Sequence, residues 1–359
     1  MITIWQGTAR FATAIALLVL AGCASVSPPP PTTTRPGMPP ASTAAITSES
    51  TASAEQQLDA LIARQDRVYQ VIAPLITKNA VLCKTAARPL LGFTAKNAHS
   101  YPIELRGAAE RRLGLSEALQ VMQVLDGGGA LRAGVRRGDV LESIQGQPLP
   151  RGAQAETEAA KLIAPMLRTA TEIDISVLRD GKPLTMKVPL TPACGFTVDI
   201  GNAPQVNAYG DGRRLLVTTG LLDALSDRDL AVILAREMAH SVQQHARAMS
   251  MRATLAGVID ALLLPRPDPA VLAGSAGLRP LEEKMDKEAD RIAQYMLARA
   301  GLDPAAAITT LDHIAQRYPA TVINSYTALH PWTGERASLM RSTAAEIRQK
   351  QAAKKPLVP

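Results

Sequence analysis

Aromatic side chains are scarce, 3% of a 359-residue chain whose hydrophobic share is 47%. The basic excess of +7 is small and spread out, and pairs such as Arg111-Arg112 and Arg136-Arg137 have no aromatic neighbours on which bases stack. A nucleic-acid surface is therefore excluded, and these charges are expected on solvated faces. Nor is there an apolar run long enough to span a membrane. The one at the N-terminus, Phe11 to Leu20, is followed at once by Gly22, Cys23 and a proline tract, whereas a spanning helix needs roughly 20 residues. Cysteine occurs three times and histidine five, so each position of either type carries weight.

Residues 1–22 have the layout of a signal peptide: one charge, Arg10, then the apolar run, then Leu20-Ala21-Gly22-Cys23. The tetrad resembles a bacterial lipobox. That resemblance implies cleavage before Cys23, diacylation of its sulfur and acylation of the new amino group, which anchor stably where one chain is marginal. With Ala24 rather than Asp next, it also implies the outer membrane, the protein facing the periplasm and meeting the membrane by its lipid anchor only. Residues 23–54 are rich in Pro, Thr, Ser and Ala, a composition that buries too little surface to offset its ordering entropy. A semi-extended tether is expected there. About 300 residues remain, room for two domains.

Once Cys23 is acylated, Cys83 and Cys194 are left. In an oxidising compartment they pair if they can meet, closing a loop of about 110 residues worth on the order of 4.7 kcal/mol in the chain-entropy model. Two buried free thiols are the alternative.

Residues 55–104 read as an amphipathic helix, Glu55 to Val81, and a connector; Leu58, Leu61, Ile62, Val68, Val71, Ile72 and Leu75 recur near helical spacing. Beyond it, Leu119 to Leu125 alternates as a strand and ends at three glycines. Val140 to Ile144 is a second strand, Gln154 to Leu167 a helix, and Asp180-Gly181 joins two alternating runs as a hairpin turn. The segment Ala133-Gly134-Val135-Arg136-Arg137-Gly138-Asp139-Val140-Leu141, with Gln145-Gly146 behind it, resembles the PDZ signature of bacterial periplasmic proteases. The resemblance covers residues 105–191. It implies that C-terminal peptides add as a strand in a groove, with the carboxylate received by backbone amides at Leu113-Gly114-Leu115. A PDZ-shaped spacer with a closed groove is the alternative.

Residues 192–359 carry the chemistry. Ser226 with Asp229 three residues on starts a helix, and the run from Leu230 to His240 is apolar on most sides, hence buried. It contains Arg236-Glu237-Met238-Ala239-His240. Asn207-Ala208-Tyr209, Gly220-Leu221-Leu222, Glu288-Ala289-Asp290, Ala298 to Pro304, and His330-Pro331 with Arg336 lie in order around it. Together these residues resemble peptidase family M48, in which His-Glu-x-x-His places two imidazoles on one helix face to grip zinc, with the glutamate as general base.

The resemblance implies an α+β chain: a PDZ domain, a small β-sandwich or barrel with helices, followed by a mainly helical zincin-like metallopeptidase domain with a small sheet. It implies zinc held by His240 and Glu288, Glu237 as base, Asp290 orienting a ligand, Arg336 facing the oxyanion, and Leu215 to Thr219 as the edge strand for an extended peptide. His245, about 140° round the helix from His240, reads as structural.

Arg236 stands where the family has its first histidine. It has no lone pair to give a metal and stays protonated. Three accounts are open. Arg236 replaces the metal electrostatically, its fork held by Glu288 or Glu237; or it swings outward and His240, Glu288 and His330 form a replacement triad; or a single codon transition is recent. Two functions follow. One is a zinc endopeptidase hydrolysing misfolded or unassembled envelope polypeptides; the other, to which Arg236 inclines the balance, is a peptide-binding pseudopeptidase or adaptor on the same fold.

Overall fold

The computed structural model describes residues 43–264, 267, 278–319 and 325–359, with side chains from residue 53 onward. The expected signal peptide and lipidated Cys23 lie outside them. Helix α1, Thr43–Lys78, begins well before Glu55, so residues 43–54 of the expected tether are helical. Past Pro40 that stretch has no proline, and a helix already nucleated downstream extends through it at little cost.

One stripe of α1 serves two cores. Leu58 and Ile62 pack against α2 (Ile103–Leu113), while Val68 to Ile76 enter the core of the C-terminal half. Between the two lie β1 (Ala87–Leu90) and β2 (Phe93–Lys96). After α2 come β3 (Gln120–Val124), α3 (Gly129–Arg132), β4 (Val140–Ile144), β5 (Gln147–Pro148), α4 (Ala155–Met166), β6 (Glu172–Arg179), β7 (Lys182–Pro189) and β8 (Thr191–Cys194). A sheet runs in the order β2-β3-β4-β6-β7, with β5 on β4, and α4 buries Ala155, Ala159 and Ile163 in its core. The β6–β7 turn has φ of 51° at Asp180 and 74° at Gly181, the two positive values a type I′ hairpin requires. Strand β2 precedes residue 105, so the sheet starts earlier than the PDZ-like signature does.

Strand β1 pairs with β8, Ala87 opposite Cys194. Cys83 and Cys194 form a disulfide with Cα atoms 5.5 Å apart, which ties the end of α1 to the exit of the sheet.

The remaining elements are β9 (Thr197–Gly201), β10 (Ala208–Gly210), β11 (Arg214–Thr218), α5 (Thr219–Ala224), α6 (Asp227–Val242), α7 (His245–Ala248), α8 (Arg252–Leu262), α9 (Glu283–Arg299), α10 (Ala306–Arg317), α11 (Tyr326–Leu329) and α12 (Gly334–Ala352). The whole is a mixed α/β chain. Strand β11 is central, antiparallel to β10 and parallel to β9. The expected edge at Leu215 to Thr219 is therefore occupied on both sides, and β10 and β9 are the edges instead. Ser226 caps α6 by accepting from the Asp229 N–H, and α6 is buried from Leu230 to Val242. Among the described residues no helix is long and apolar enough to cross a membrane.

Candidate active site

Helices α6 and α9 present polar side chains to each other inside an otherwise apolar core. From α6 come Arg236, Glu237 and His240; from α9, Asp286 and Asp290, one turn apart on one face. Tyr326 and His330 arrive at the two ends of α11, which is fixed beside β10 by the Tyr326 N–H donating to the Val206 carbonyl at 3.0 Å. Arg336 enters from the first turn of α12.

Arg236 is fully buried and each part of its fork is engaged. Nε donates to Asp290 Oδ1 at 2.7 Å, Nη2 to Asp286 Oδ1 at 2.9 Å, and Nη1 to the Tyr326 hydroxyl at 2.7 Å. Burial works against its charge, but Tyr326, Asp290 and Asp286 hold its pKa above the ordinary arginine value. Arg336 grips the other side of Asp290 through Nε at 2.8 Å and Nη2 at 2.9 Å, and Nη1 donates to the His330 and Pro331 carbonyls. Burial raises the pKa of Asp290, but Arg236 and Arg336 bring it below the usual carboxylate range. Burial likewise opposes the charge of Asp286, and its neighbours His330, His240 and Arg236 more than offset that, holding its pKa well down.

Two arginines thus balance two aspartates, and Glu237 is left over. It is 3% exposed. It accepts from the Tyr326 hydroxyl at 2.6 Å and has His330 Nε2 at 3.6 Å, and among the described residues no lysine or arginine pairs with it. His330 Nδ1 meets Asp286 Oδ1 at 2.8 Å. His240 Nδ1 meets His245 Nδ1 at 2.9 Å, and His245 Nε2 lies 3.3 Å from Glu288 Oε2. His240 Nε2 lies 3.4 Å from Asp286 Oδ1, and Arg336 Nη1 lies 3.6 Å from Asp286 Oδ2. Burial first of all pulls the His240 pKa down to about 4, so the ring is neutral.

Several sequence expectations change here. Glu288 points away from the cluster toward His245, its side chain 42% exposed, and Asp286 stands where Glu288 was expected. Two residues separate them, about 200° round a helix. The same phase keeps Glu288 from holding Arg236, which Asp286 and Asp290 do. Arg236 does not swing outward. Arg336 directs four of its five N–H donors to Asp290 and two carbonyls rather than toward the cleft, and Asp290 orients two arginines rather than a histidine. Leu113-Gly114-Leu115 ends α2: Gly114 sits at φ 66° with its N–H on the Glu110 carbonyl, and Leu115 is buried. A chain stop of this kind uses up the amide that a carboxylate would need. Sequence reasoning missed Asp286 and Tyr326. The i, i+4 spacing of Asp286 and Asp290 was a signal for the first; Tyr326 is placed by a contact 89 residues from Glu237 and had none.

A small cavity of about 30 Å³ opens beside the cluster. Glu237, His240 and His330 line its polar end, and Met251, Leu255 and Leu329 its apolar wall. Strand β10 borders it. A Cβ on Gly210 would come within 3.3 Å of Glu237 Oε2, so the missing side chain leaves that carboxylate open to the strand edge.

His240, Asp286 and His330 offer ligand atoms within 4.8 Å of one another, a nitrogen and oxygen set of the chemistry zinc takes. Arg236 is what does not suit zinc. Its cation lies 2.9 Å from Asp286 Oδ1, the one carboxylate of the set, and takes up the charge a metal would neutralise. As the residues stand, they do not fit the ion.

A buried Glu-x-x-His helix facing an acidic helix, with a small sheet edge alongside, defines a metallopeptidase-like site. Residues 185–344 match the family model for peptidase family M48. Over 150 residues the chain is 29% identical to the mitochondrial metalloendopeptidase OMA1 of Arabidopsis thaliana, covering 40% of this chain and 31% of that protein. Over 153 residues it is 31% identical to a protease HtpX homolog of Ralstonia pickettii (strain 12J), covering 36% of this chain and 53% of the relative. The chain thus spans about a third to a half of the length of these relatives. The structure of the HtrA3 PDZ domain bound to a phage-derived ligand overlaps 30% of this chain and 92% of its own, at 17% identity and a TM-score of 0.23.

Proposed function

We propose that this protein is a peptide-binding pseudopeptidase: an M48 fold that keeps its cleft and holds extended polypeptide without hydrolysing it. The observation that carries this is Arg236, buried where a metal-binding histidine is the family's rule and pinned to both aspartates of α9. Glu237, the residue in the base position, is engaged by Tyr326. The full mature chain, purified without chelator, is expected to contain zinc far below one per chain and to leave casein intact. A second reading, an active enzyme with His240, Asp286 and His330 as zinc ligands, is favoured by the convergence of their ligand atoms within 4.8 Å of one another. Stoichiometric zinc with casein cleavage would establish it instead.

The PDZ-like sheet supplies a second peptide site in this proposal. The Gly92 carbonyl accepts from the Leu125 N–H at 2.7 Å, so the next residue, Phe93, turns its own N–H and C=O to the open edge of β2. Leu91 and Phe93 share a core with α4, the arrangement in which a C-terminal peptide adds as a strand. Export and a lipid anchor at Cys23 on the outer membrane complete the reading, which places the protein among unassembled envelope polypeptides. Cys23→Ser is expected to release the protein from membrane vesicles in a flotation gradient; a variant that still floats removes the anchor from the proposal.

A further inference from the structure

We propose that the groove between α8 and the β10–β11 turn receives the side-chain carboxylates of an acidic stretch in an extended polypeptide, at Arg213 and Arg252. The proposal rests on the peptide-binding reading above and adds the kind of segment that is bound.

The first argument is charge. The groove is an open recess of about 600 Å³ whose charged lining is Asp211, Arg213, Arg214 and Arg252, with Ala253 and Ala256 between. Its acids are already engaged. Asp211 accepts from Arg214 Nε at 2.9 Å through one oxygen, and from the Arg213 and Arg214 amides at 2.8 and 2.7 Å through the other. Asp260, one turn beyond Ala256, accepts from Arg214 Nη1 at 2.5 Å, and Arg214 Nη2 donates to the Ala256 carbonyl at 3.3 Å. Arg214 is thus part of the wall. Arg213 is exposed and Arg252 half-buried, and among the described residues no carboxylate pairs with either, since Asp211 and Asp260 both pair with Arg214. Each guanidinium has five donors and no acceptor, in a fork that a carboxylate matches with two parallel bonds.

The second argument is continuity with the cleft. Ala208, Tyr209 and Gly210 of β10 line the small cavity, and the groove begins at the next residue, Asp211. On α8 and its cap, Leu255 and Met251 line the cavity, while Ala256 and Arg252, each one residue on, line the groove. One residue is about 100° round a helix, so adjoining faces of α8 border the two spaces. An extended chain advances about 3.3 Å per residue, so a segment lying along β10 reaches the groove about two or three residues past Gly210. The cavity has room for about two water molecules. Selection by side chain therefore falls to the groove. The turn that carries Arg213 is fixed, with Gly212 at φ 92° and the two amides after it held by Asp211.

The third argument is scale. Attraction to an anionic lipid surface draws on clusters of roughly four to eight basic residues, whereas two arginines are uncommitted here and they line a recess. Single-stranded nucleic acid stacks its bases on aromatic rings, and none is among the described residues that line the groove. One or two carboxylates on a polypeptide match the two guanidiniums in number and in shape.

The test uses the full mature chain and a decapeptide of alanine, serine, threonine and valine, blocked at both ends, with two central glutamates; its twin carries two glutamines. Calorimetry at low salt is expected to give about five- to tenfold tighter binding of the glutamate peptide, the order of a bidentate arginine contact in a half-exposed site. The preference is expected to fade in 1 M salt, where the Debye length is about 3 Å. The double variant Arg213→Gln, Arg252→Gln is expected to abolish it, and Arg348→Gln, at an exposed position on α12, to retain it, which separates the groove from net charge. Arg213→Gln alone, at an exposed position, is expected to lower the preference at least about twofold, so the result does not depend on the double variant folding. Equal affinities of both peptides for the unaltered protein, or a preference that survives both groove variants, overturn this proposal and leave peptide binding standing; no binding of either peptide overturns both. A glutamine peptide with a free C-terminus that binds as tightly as the glutamate peptide moves the carboxylate to the chain end and overturns the assignment to side chains. Displacement of the glutamate peptide by phosphatidylglycerol vesicles, and not by phosphatidylcholine vesicles, assigns the arginines to a lipid surface and overturns it as well.

Discussion

Arg236→Met is expected to destabilise the protein by about 3–5 kcal/mol in chemical denaturation, the cost of removing one partner from a buried charge pair. Methionine approximates the volume, so the loss is electrostatic: Asp286 keeps His330 but loses its guanidinium, and Asp290 keeps Arg336 alone. The companion variant Asp286→Asn removes the opposite charge, and the double variant is expected to cost less than the two single losses added, by on the order of 1–3 kcal/mol. Strict additivity would show that Arg236 and Asp286 do not act as a pair, and the account of Arg236 as an internal cation in the metal's place would fail.

That cation also explains which parts of the molecule were legible in the sequence. Local signals carried well: the Asp180-Gly181 turn, the Ser226 cap on α6 and the buried face of that helix depend on a few neighbouring residues and their backbone geometry. Pairing between distant strands did not carry. The run Leu215 to Thr219 looks the same whether it is an edge or a centre, and β9, its parallel neighbour, is reached through a crossover. Strand β2 is four residues long, too short to show alternation in the sequence. In the site, family pattern and helix phase disagreed. The pattern favoured Glu288; the phase of α9, with Asp286 and Asp290 on one face, places Glu288 on the other. A helix settles such a conflict by geometry, because a side chain two residues off cannot reach the same partner.

Arg236→His puts that geometry to its sharpest use. The substitution removes the surplus charge and sets two imidazoles one turn apart on α6, the spacing that grips one metal. Asp286, released from the guanidinium, then completes three protein ligands of the kinds zinc takes. Zinc in the variant is expected to rise to about one per chain by metal analysis, and added zinc is expected to raise its melting temperature, since a ligand that binds only the folded state stabilises it. The choice between the two acidic residues is read in the same background. Asp286→Asn is expected to lose the zinc, because the ligating carboxylate is gone. Glu288→Gln is expected to keep it, with affinity lowered about 10–100-fold, because Glu288 touches His245 and only through it orients His240. The reverse pattern, zinc kept by Asp286→Asn and lost by Glu288→Gln, would return the ligand role to Glu288 and require α9 to be turned by about half a revolution. If Arg236→His holds no zinc at all, more than this one residue separates the cleft from a metal site, and the arginine is one departure among several.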